Sequence, residues 1–223
     1  MHRSLPLPTS IVGVGIPYVA FAELNGYFNG PLYAFDPVLF WTVEAFFNVV
    51  FPAFGFWFLM RFSGVRPAHY GLAFPPPLAR ELFGASMFFA VMLFAIYFIP
   101  YRVVWALSGY PSSHFSYGQV LPSGLARVPT VVYLALTAGL IESAVYIGLP
   151  RLLWRHLLGP NRGKSLFVWS SAAVFASVHW EQGAHGVIGA FAFGYVACRL
   201  YLKIADLWPI VGAHIAIDLV AFW

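Results

Sequence analysis

The sequence predicts an all-α, polytopic integral membrane protein with about seven (six to eight) transmembrane helices. Of its 223 residues, 61% are hydrophobic and 9% are charged, whereas soluble domains are about half apolar and about a quarter charged. The mean hydropathy is +0.77. So few charged side chains cannot cover a soluble protein of this length, and so apolar a chain does not stay disordered. The solvent for most of the chain is therefore expected to be a lipid bilayer.

Apolar stretches long enough to cross that bilayer follow one another along the whole chain. A helical span takes roughly 20 mostly apolar residues. Predicted spans cover residues 9–27, 38–60, 82–101, 128–149, 165–181, 184–202 and 207–223. Between them, residues 61–81 and 108–127 are predicted loops, and the second of these is either a simple connection or a lid that contacts substrate. Pro150 to Leu158 is predicted to be an amphipathic helix on the inner membrane surface.

The basic residues predict the orientation of the chain. With the N-terminus in the cytoplasm, ten of the twelve Lys and Arg residues lie on the inner side, as the positive-inside rule expects. Those ten are Arg3, Arg61, Arg66, Arg80, Arg151, Arg155, Arg162, Lys164, Arg199 and Lys203. The sequence thus predicts a multi-pass protein of the cell (inner or plasma) membrane, and its positive charge gives no reason to expect nucleic acid as a partner. The single cysteine, Cys198, excludes an intrachain disulfide and a thiolate metal site.

Ionisable residues inside the predicted spans are the candidates for function, because each costs at least ~2.5 kcal/mol to insert. They are Glu23, Glu44, Glu142, His179, His185, His214 and Asp218. Glu23 lies near a span end, Glu44 is predicted to have a structural partner, and His185 lies at a hairpin. All three are interpreted as structural or interfacial.

The remaining four residues fall in three short motifs of the C-terminal half. Glu142 begins Glu-Ser-Ala-Val-Tyr-Ile, His179 ends Phe-Ala-Ser-Val-His, and His214 and Asp218 bound His-Ile-Ala-Ile-Asp. Residues four apart share a helix face, so His214 and Asp218 project to the same side. Three helices that each offer an acid or an imidazole predict a polar pocket inside the bundle.

In this order and spacing, the motifs resemble those of the CAAX-protease and bacteriocin-processing family (CPBP, also called Abi). That family carries Glu-Glu-x-x-x-Arg, Phe-x-x-x-His and His-x-x-x-Asn/Asp on successive membrane helices. The resemblance covers about residues 128–222. It implies a single membrane domain with N-terminal helices and loops over 1–127 and a catalytic four-helix core over 128–223.

The resemblance implies a glutamic-type intramembrane endopeptidase that uses neither a metal nor a cofactor. Glu142 matches the general base that activates water, and His179 matches the histidine that assists it. His214 and Asp218 match the pair that binds the oxyanion, which needs donors already in place. The implied partners are the lipid bilayer and a membrane-embedded or C-terminally hydrophobic peptide, cleaved near its C-terminus. Prenylation of that peptide is not required.

Two positions depart from the family pattern. Ser143 stands where the family has its second glutamate, and Ile147 stands where it has arginine. Losing one partner of a buried ion pair strands a charge, whereas losing both does not. The double change predicts a divergent active enzyme in which Ser143→Ala is nearly silent.

Other functions stay open at this point. The alternative is a non-catalytic CPBP-like membrane binding or immunity protein, which the lost Glu-Arg pair favours. A proton-coupled transporter would use the acids and imidazoles as a relay, but the sequence shows no repeat. A serine mechanism at Ser143 lacks the expected glycine-rich turn, and a zinc protease lacks the His-Glu-x-x-His spacing.

Overall fold

A computed structural model describes residues 6–73, 79–108 and 117–223. Within those ranges the chain forms helices and connecting turns without a strand, which confirms the all-α class. The main helices are α1 (Leu7–Phe35), α2 (Pro37–Ala45), α3 (Phe51–Ser63), α4 (Ala79–Leu107), α5 (Arg127–Thr137), α6 (Leu149–Ser177), α7 (Gly183–Ile204) and α8 (Trp208–Ala221). Asp36 caps α2, because its carboxylate accepts hydrogen bonds from the backbone N–H groups of Val38 and Leu39.

Five helical stretches of the described chain are long and apolar enough to cross a membrane, which confirms a polytopic membrane protein. They are Leu7–Leu24, Pro37–Ser63, Glu81–Leu107, Gly124–Ser177 and Trp180–Ile204. The last predicted span, 207–223, is shorter than expected, since α8 has 14 residues. A helix of that length covers about 21 Å, against a hydrocarbon core of about 30 Å.

The two predicted spans 128–149 and 165–181 lie on separate helices, because the chain leaves helical geometry at Gly159, whose φ is 81° and ψ is 172°. The parts of α6 before and after Gly159 pack against each other. The indole nitrogen of Trp154 donates a hydrogen bond of 2.9 Å to the hydroxyl of Ser170, whereas an unbroken helix would hold residues sixteen apart about 24 Å from each other. Pro160 follows and has no N–H to donate, so the ladder of hydrogen bonds is interrupted there. Pro150 to Leu158 is helical, as predicted, and forms the part of α6 before this break; its position on the inner membrane surface stays a prediction.

Parts of three predictions lie outside the described residues. The two predicted loops include residues 74–78 and 109–116, and the basic residue Arg3 also falls outside. The lid interpretation of 108–127 and the cytoplasmic N-terminus therefore stay predictions.

Helices α4, α6, α7 and α8 form the centre of the bundle. Helix α7 packs between α4 and α6, and α8 packs on the other side of α4 and against α5. Fully buried side chains from these helices, among them Leu93, Phe167 and Ile210, make the core. Small residues let the backbones approach, as is usual between membrane helices. A Cβ on Gly189 would lie 3.0 Å from the carbonyl oxygen of Tyr97.

The segment between α5 and α6 is wound into two π-helical turns, Ala138–Glu142 and Ala144–Gly148. Such turns are rare and concentrate at functional sites. Gly139 lies in the first of them and touches the backbone of α8. A Cβ at this position would lie 3.0 Å from the amide nitrogen of Ile215 and 3.3 Å from its Cα. The absence of a side chain at Gly139 therefore sets how closely Glu142 approaches the helix that carries His214.

Replacing Gly139 by alanine is expected to destabilise the protein, because the new methyl group meets backbone atoms that cannot move independently. Overpacking of this kind costs about 1–3 kcal/mol, which lowers Tm by several degrees. The measurement is thermal unfolding in detergent. The matched control is Gly84→Ala in α4, where an added Cβ has no atom within 4 Å. Equal melting temperatures of Gly139→Ala and the wild type would contradict this packing.

Candidate active site

The four residues predicted to form the polar pocket line one cavity. Glu142, His179, His214 and Asp218 all contribute to the wall of a cavity of about 740 Å³ inside the bundle. Glu142 comes from the first π-helical turn, His179 follows the end of α6, and the other two lie on α8. The tertiary structure therefore brings together residues separated by up to 76 positions in the chain.

His214 occupies the middle of the polar cluster. Its Nε2 lies 3.9 Å from Oε2 of Glu142 and 3.5 Å from Oδ2 of Asp218. The side chain of His214 is 9% exposed, and that of Glu142 is 26% exposed. The imidazole is thus held between two carboxyl groups, one of which opens more widely to the cavity.

His179 is oriented by the end of its own helix. Its Nδ1 donates a hydrogen bond of 2.7 Å to the carbonyl oxygen of Phe175, one of the carbonyls that the end of α6 leaves without a helical partner. In the neutral imidazole, the proton therefore sits on Nδ1, and Nε2 keeps a free lone pair. The ring of Phe175 lies between the two imidazoles, 4.6 Å from His179 and 6.0 Å from His214 by ring centroids.

Ser143 and Ile147, the two departures from the family pattern, are both buried in the core. The hydroxyl of Ser143 lies 3.4 Å from Nδ1 of His214. When this hydroxyl donates to Nδ1, the proton of the neutral ring must lie on Nε2, facing the two carboxyl groups. Ser143 thus has a contact that the sequence did not predict, and the nearly silent effect of Ser143→Ala on proteolysis stays a prediction.

Three further polar residues of the cavity wall escaped the sequence analysis or were interpreted as structural. Glu181 and Tyr97 were not singled out, and His185 was assigned to a hairpin or interface, yet all three line the cavity. A signal for Glu181 was present, since it follows His179 by two residues in a turn too short to leave the pocket. The structural interpretation of Glu44 agrees with its contacts. Its two carboxylate oxygens accept hydrogen bonds from Tyr133 and Asn48.

The described part of the chain shows no arrangement of side chains suited to a metal ion. Over residues 6–73, 79–108 and 117–223, no group of three or more His, Cys, Asp and Glu residues is arranged to hold a metal ion. The expectation of a metal-free site remains a prediction about the reaction.

Comparison with protein families identifies the segment that contains this site. Residues 123–220 match the family model described as type II CAAX prenyl endopeptidase Rce1-like. This segment is similar to the Rce1-like family. The match agrees closely with the predicted extent of 128–222 and confirms the CPBP resemblance. At the level of the family, it indicates a CAAX-type membrane protease, which is a hydrolase. Searches of curated proteins and of solved structures gave no match.

The matched segment holds every residue of the polar cluster but only part of the cavity. Helices α1 and α4 lie outside residues 123–220. They nevertheless contribute wall residues such as Tyr18 and Tyr97. Residues of the N-terminal half therefore form part of the wall of the cavity that the polar residues of the matched segment also line.

Replacing Ser143 by alanine is expected to change the proton position on His214, because Nδ1 loses its donor. A net hydrogen bond of this kind is worth about 1 kcal/mol, enough to shift a tautomer ratio about fivefold. The measurement is ¹⁵N NMR of labelled histidine in detergent or nanodiscs. Ser143→Thr, which keeps the hydroxyl, is the control. An unchanged tautomer ratio in Ser143→Ala would show that the contact does not orient the ring.

Proposed function

We propose that this protein is an intramembrane endopeptidase that cleaves membrane-anchored or lipid-proximal peptides near their C-terminus by means of activated water. The observation that supports it is the meeting of Glu142, His179, His214 and Asp218 on one cavity of an Rce1-like domain. Two acids and two imidazoles in a largely apolar membrane protein are costly to keep. General acid–base chemistry provides a reason for their presence.

The first step of the proposed reaction is the attack of water on the peptide carbonyl. Glu142, the more exposed of the two carboxyl groups beside His214, takes a proton from water as the oxygen attacks. His179 assists by accepting a hydrogen bond from the same water at its free Nε2, since its Nδ1 is committed to Phe175. A base within hydrogen-bond reach of water contributes typically 10²–10⁴-fold to the rate.

The second step needs stabilisation of the negative charge that forms on the carbonyl oxygen. His214 donates from Nε2–H in the tautomer in which Nδ1 accepts a hydrogen bond from the hydroxyl of Ser143. Asp218, one helical turn away, keeps the ring in place. The tetrahedral intermediate then breaks its C–N bond, and protonated Glu142 returns its proton to the leaving amine. The products are a carboxylate and an amine, and one water is consumed.

The walls of the cavity suit a hydrophobic peptide that enters from the lipid. Aromatic residues of α1 and α4 line much of it, including Phe21, Phe94 and Phe98. Binding sites of this composition bury the apolar part of a ligand and orient it with a few polar groups. We place the protein in the cell membrane with its N-terminus in the cytoplasm, as the basic residues predict.

A non-catalytic membrane binding or immunity protein is the second candidate. Ser143 and Ile147 favour it, because they stand where the family pattern has a glutamate and an arginine. Against it, Glu142, His179, His214 and Asp218 are all present and line one cavity. This candidate predicts that Glu142→Gln leaves the function of the protein unchanged.

Glu142→Gln and His179→Ala are expected to abolish proteolysis while the protein still accumulates in the membrane. The measurement is mass spectrometry of C-terminal peptides from membrane and secreted proteins, in cells that carry the wild type or each variant at matched expression. One or a few C-termini should lengthen in the variants, which identifies the substrate and the cleaved bond together.

Glu44→Gln is the matched control for this experiment, since Glu44 is a buried carboxylate outside the cavity lining. It should leave the C-termini as in the wild type. Identical C-termini in the wild type and Glu142→Gln, with both proteins abundant, would reject the protease and leave the binding protein as the better assignment.

A chelator such as EDTA is expected to leave the proteolytic activity unchanged, because protein side chains alone activate the water in this mechanism. The measurement is cleavage of the identified substrate by purified protein in nanodiscs, before and after chelation. A loss of activity that zinc restores would replace the glutamic mechanism with a metal-dependent one.

A further inference from the structure

We propose that Glu181 and His185 form a subsite of the cavity that binds a cationic side chain, lysine or arginine, of the substrate beside the cleaved bond. The proposal rests on the proposed function, because it concerns the substrate of the same cavity. It specifies a substrate class that neither the family match nor the motifs assign.

Both side chains are buried, and each has one polar atom without a hydrogen-bond partner among the described residues. Glu181 is 6% exposed and His185 is 3% exposed. Among the described residues, Oε2 of Glu181 and Nδ1 of His185 have no hydrogen-bond partner. Both residues line the cavity. Buried polar groups are nearly always paired, and an exception calls for a reason.

The contrast with Glu44 shows what a structural carboxylate looks like in this fold. Glu44 is also buried, and Tyr133 and Asn48 each donate a hydrogen bond to it, at 2.6 and 2.9 Å. The protein thus satisfies a buried carboxylate where its role is structural. At Glu181 it leaves one oxygen free, on a wall of the cavity.

The turn that carries Glu181 is fixed on both sides, so the free oxygen is held in place. Trp180 donates from its indole nitrogen to the carbonyl oxygen of Glu23 at 2.7 Å. Gln182 accepts a hydrogen bond of 3.0 Å from the hydroxyl of Tyr97. The side chain of Glu181 therefore lies between two anchored neighbours. A site that is already ordered loses little entropy when a ligand binds.

The described lining of the cavity has more acidic than basic side chains, which favours a positively charged ligand. Its described lining includes three carboxyl groups, those of Glu142, Glu181 and Asp218, and one guanidinium, that of Arg127. Arg127 donates to the carbonyl oxygens of the last two residues of the chain. It is therefore engaged at the far end of α8 rather than beside Glu181.

The chemistry around the free atoms matches an ammonium or guanidinium group. A carboxylate oxygen and the free nitrogen of a neutral imidazole both accept hydrogen bonds. Tyr101 packs against the ring of His185 with centroids 4.5 Å apart, and Tyr97 and Tyr101 both line the cavity. Tyrosine rings attract cations through their faces. An apolar or acidic side chain would leave this wall without a hydrogen-bond donor, and a neutral polar side chain would leave its negative charge without a counterion.

The position of the subsite relates it to the cleaved bond. Glu181 follows His179 by two residues in the same turn. An extended peptide advances about 3.3 Å per residue. We therefore expect a lysine or arginine that reaches Glu181 to belong to a residue next to the cleaved bond or one position removed from it.

The test measures peptide binding to protein that cannot cleave, in nanodiscs and in the Glu142→Gln background. The probes are fluorescein-labelled Leu/Ala peptides that end in three apolar residues, with lysine or norleucine at each of the six C-terminal positions in turn. Norleucine keeps most of the side chain and lacks the amine. At one or two adjacent positions, lysine should tighten binding about tenfold, as expected for a charged hydrogen bond.

Adding Glu181→Gln should remove the lysine preference and leave the norleucine affinity unchanged, which also shows that the variant is folded. Adding Glu44→Gln instead should keep the preference. Equal affinities for all lysine and norleucine pairs, or a lysine preference that survives Glu181→Gln, would overturn the subsite. Because the readout is binding, a protein that prefers lysine but never cleaves would refute the protease and leave the subsite standing.

Discussion

The contact between the π-helical turn at Gly139 and the backbone of α8 decides where the polar residues of this protein meet. Glu142 lies in that turn, and His214 and Asp218 lie on α8, so the approach of the two backbones sets the distance between the carboxyl group and the imidazole. His214 Nε2 then lies 3.9 Å from Glu142 and 3.5 Å from Asp218. A larger side chain at position 139 would separate the two elements and disperse the cluster. Close packing at Gly139 thus fixes the relative positions of the polar side chains.

Buried acidic and imidazole groups of this bundle differ in whether neighbouring side chains pair all of their polar atoms. Glu44 has both carboxylate oxygens occupied by neighbouring side chains. Along the cavity, by contrast, Glu181 and His185 each keep a free polar atom among the described residues. An unpaired polar group costs more in a membrane interior than in water, since no solvent replaces the partner. Such groups persist where a ligand or a reacting molecule completes them.

The replacement of the family's second glutamate and its arginine by Ser143 and Ile147 has a simple physical consequence. A buried ion pair attracts strongly but is costly to desolvate, so an uncharged pair of similar packing is often as stable. Ile147 fills core space, and Ser143 keeps one polar contact, to Nδ1 of His214. When the hydroxyl donates in that contact, the Nε2–H of the ring faces the carboxyl groups. At these two positions the chain has uncharged side chains, and one of them contacts the central imidazole.

The sequence by itself determined the class of the protein and the identity of its polar cluster. The apolar content predicted a membrane protein, and the three motifs that hold Glu142, Phe175–His179 and His214–Asp218 resembled those of the CPBP family. Because a helix places residues four apart on one face, the spacing also predicted that His214 and Asp218 project to the same side. Only the tertiary structure decided which polar groups complete the site. The short turn after His179 and the neighbouring α4 place Glu181, His185 and Tyr97 on the same cavity wall. The packing of the two parts of α6 on each other around Gly159 and the short length of α8 also depended on tertiary structure. Hydropathy measures how apolar a segment is, whereas its length, its bends and its partners are set by the helices it touches.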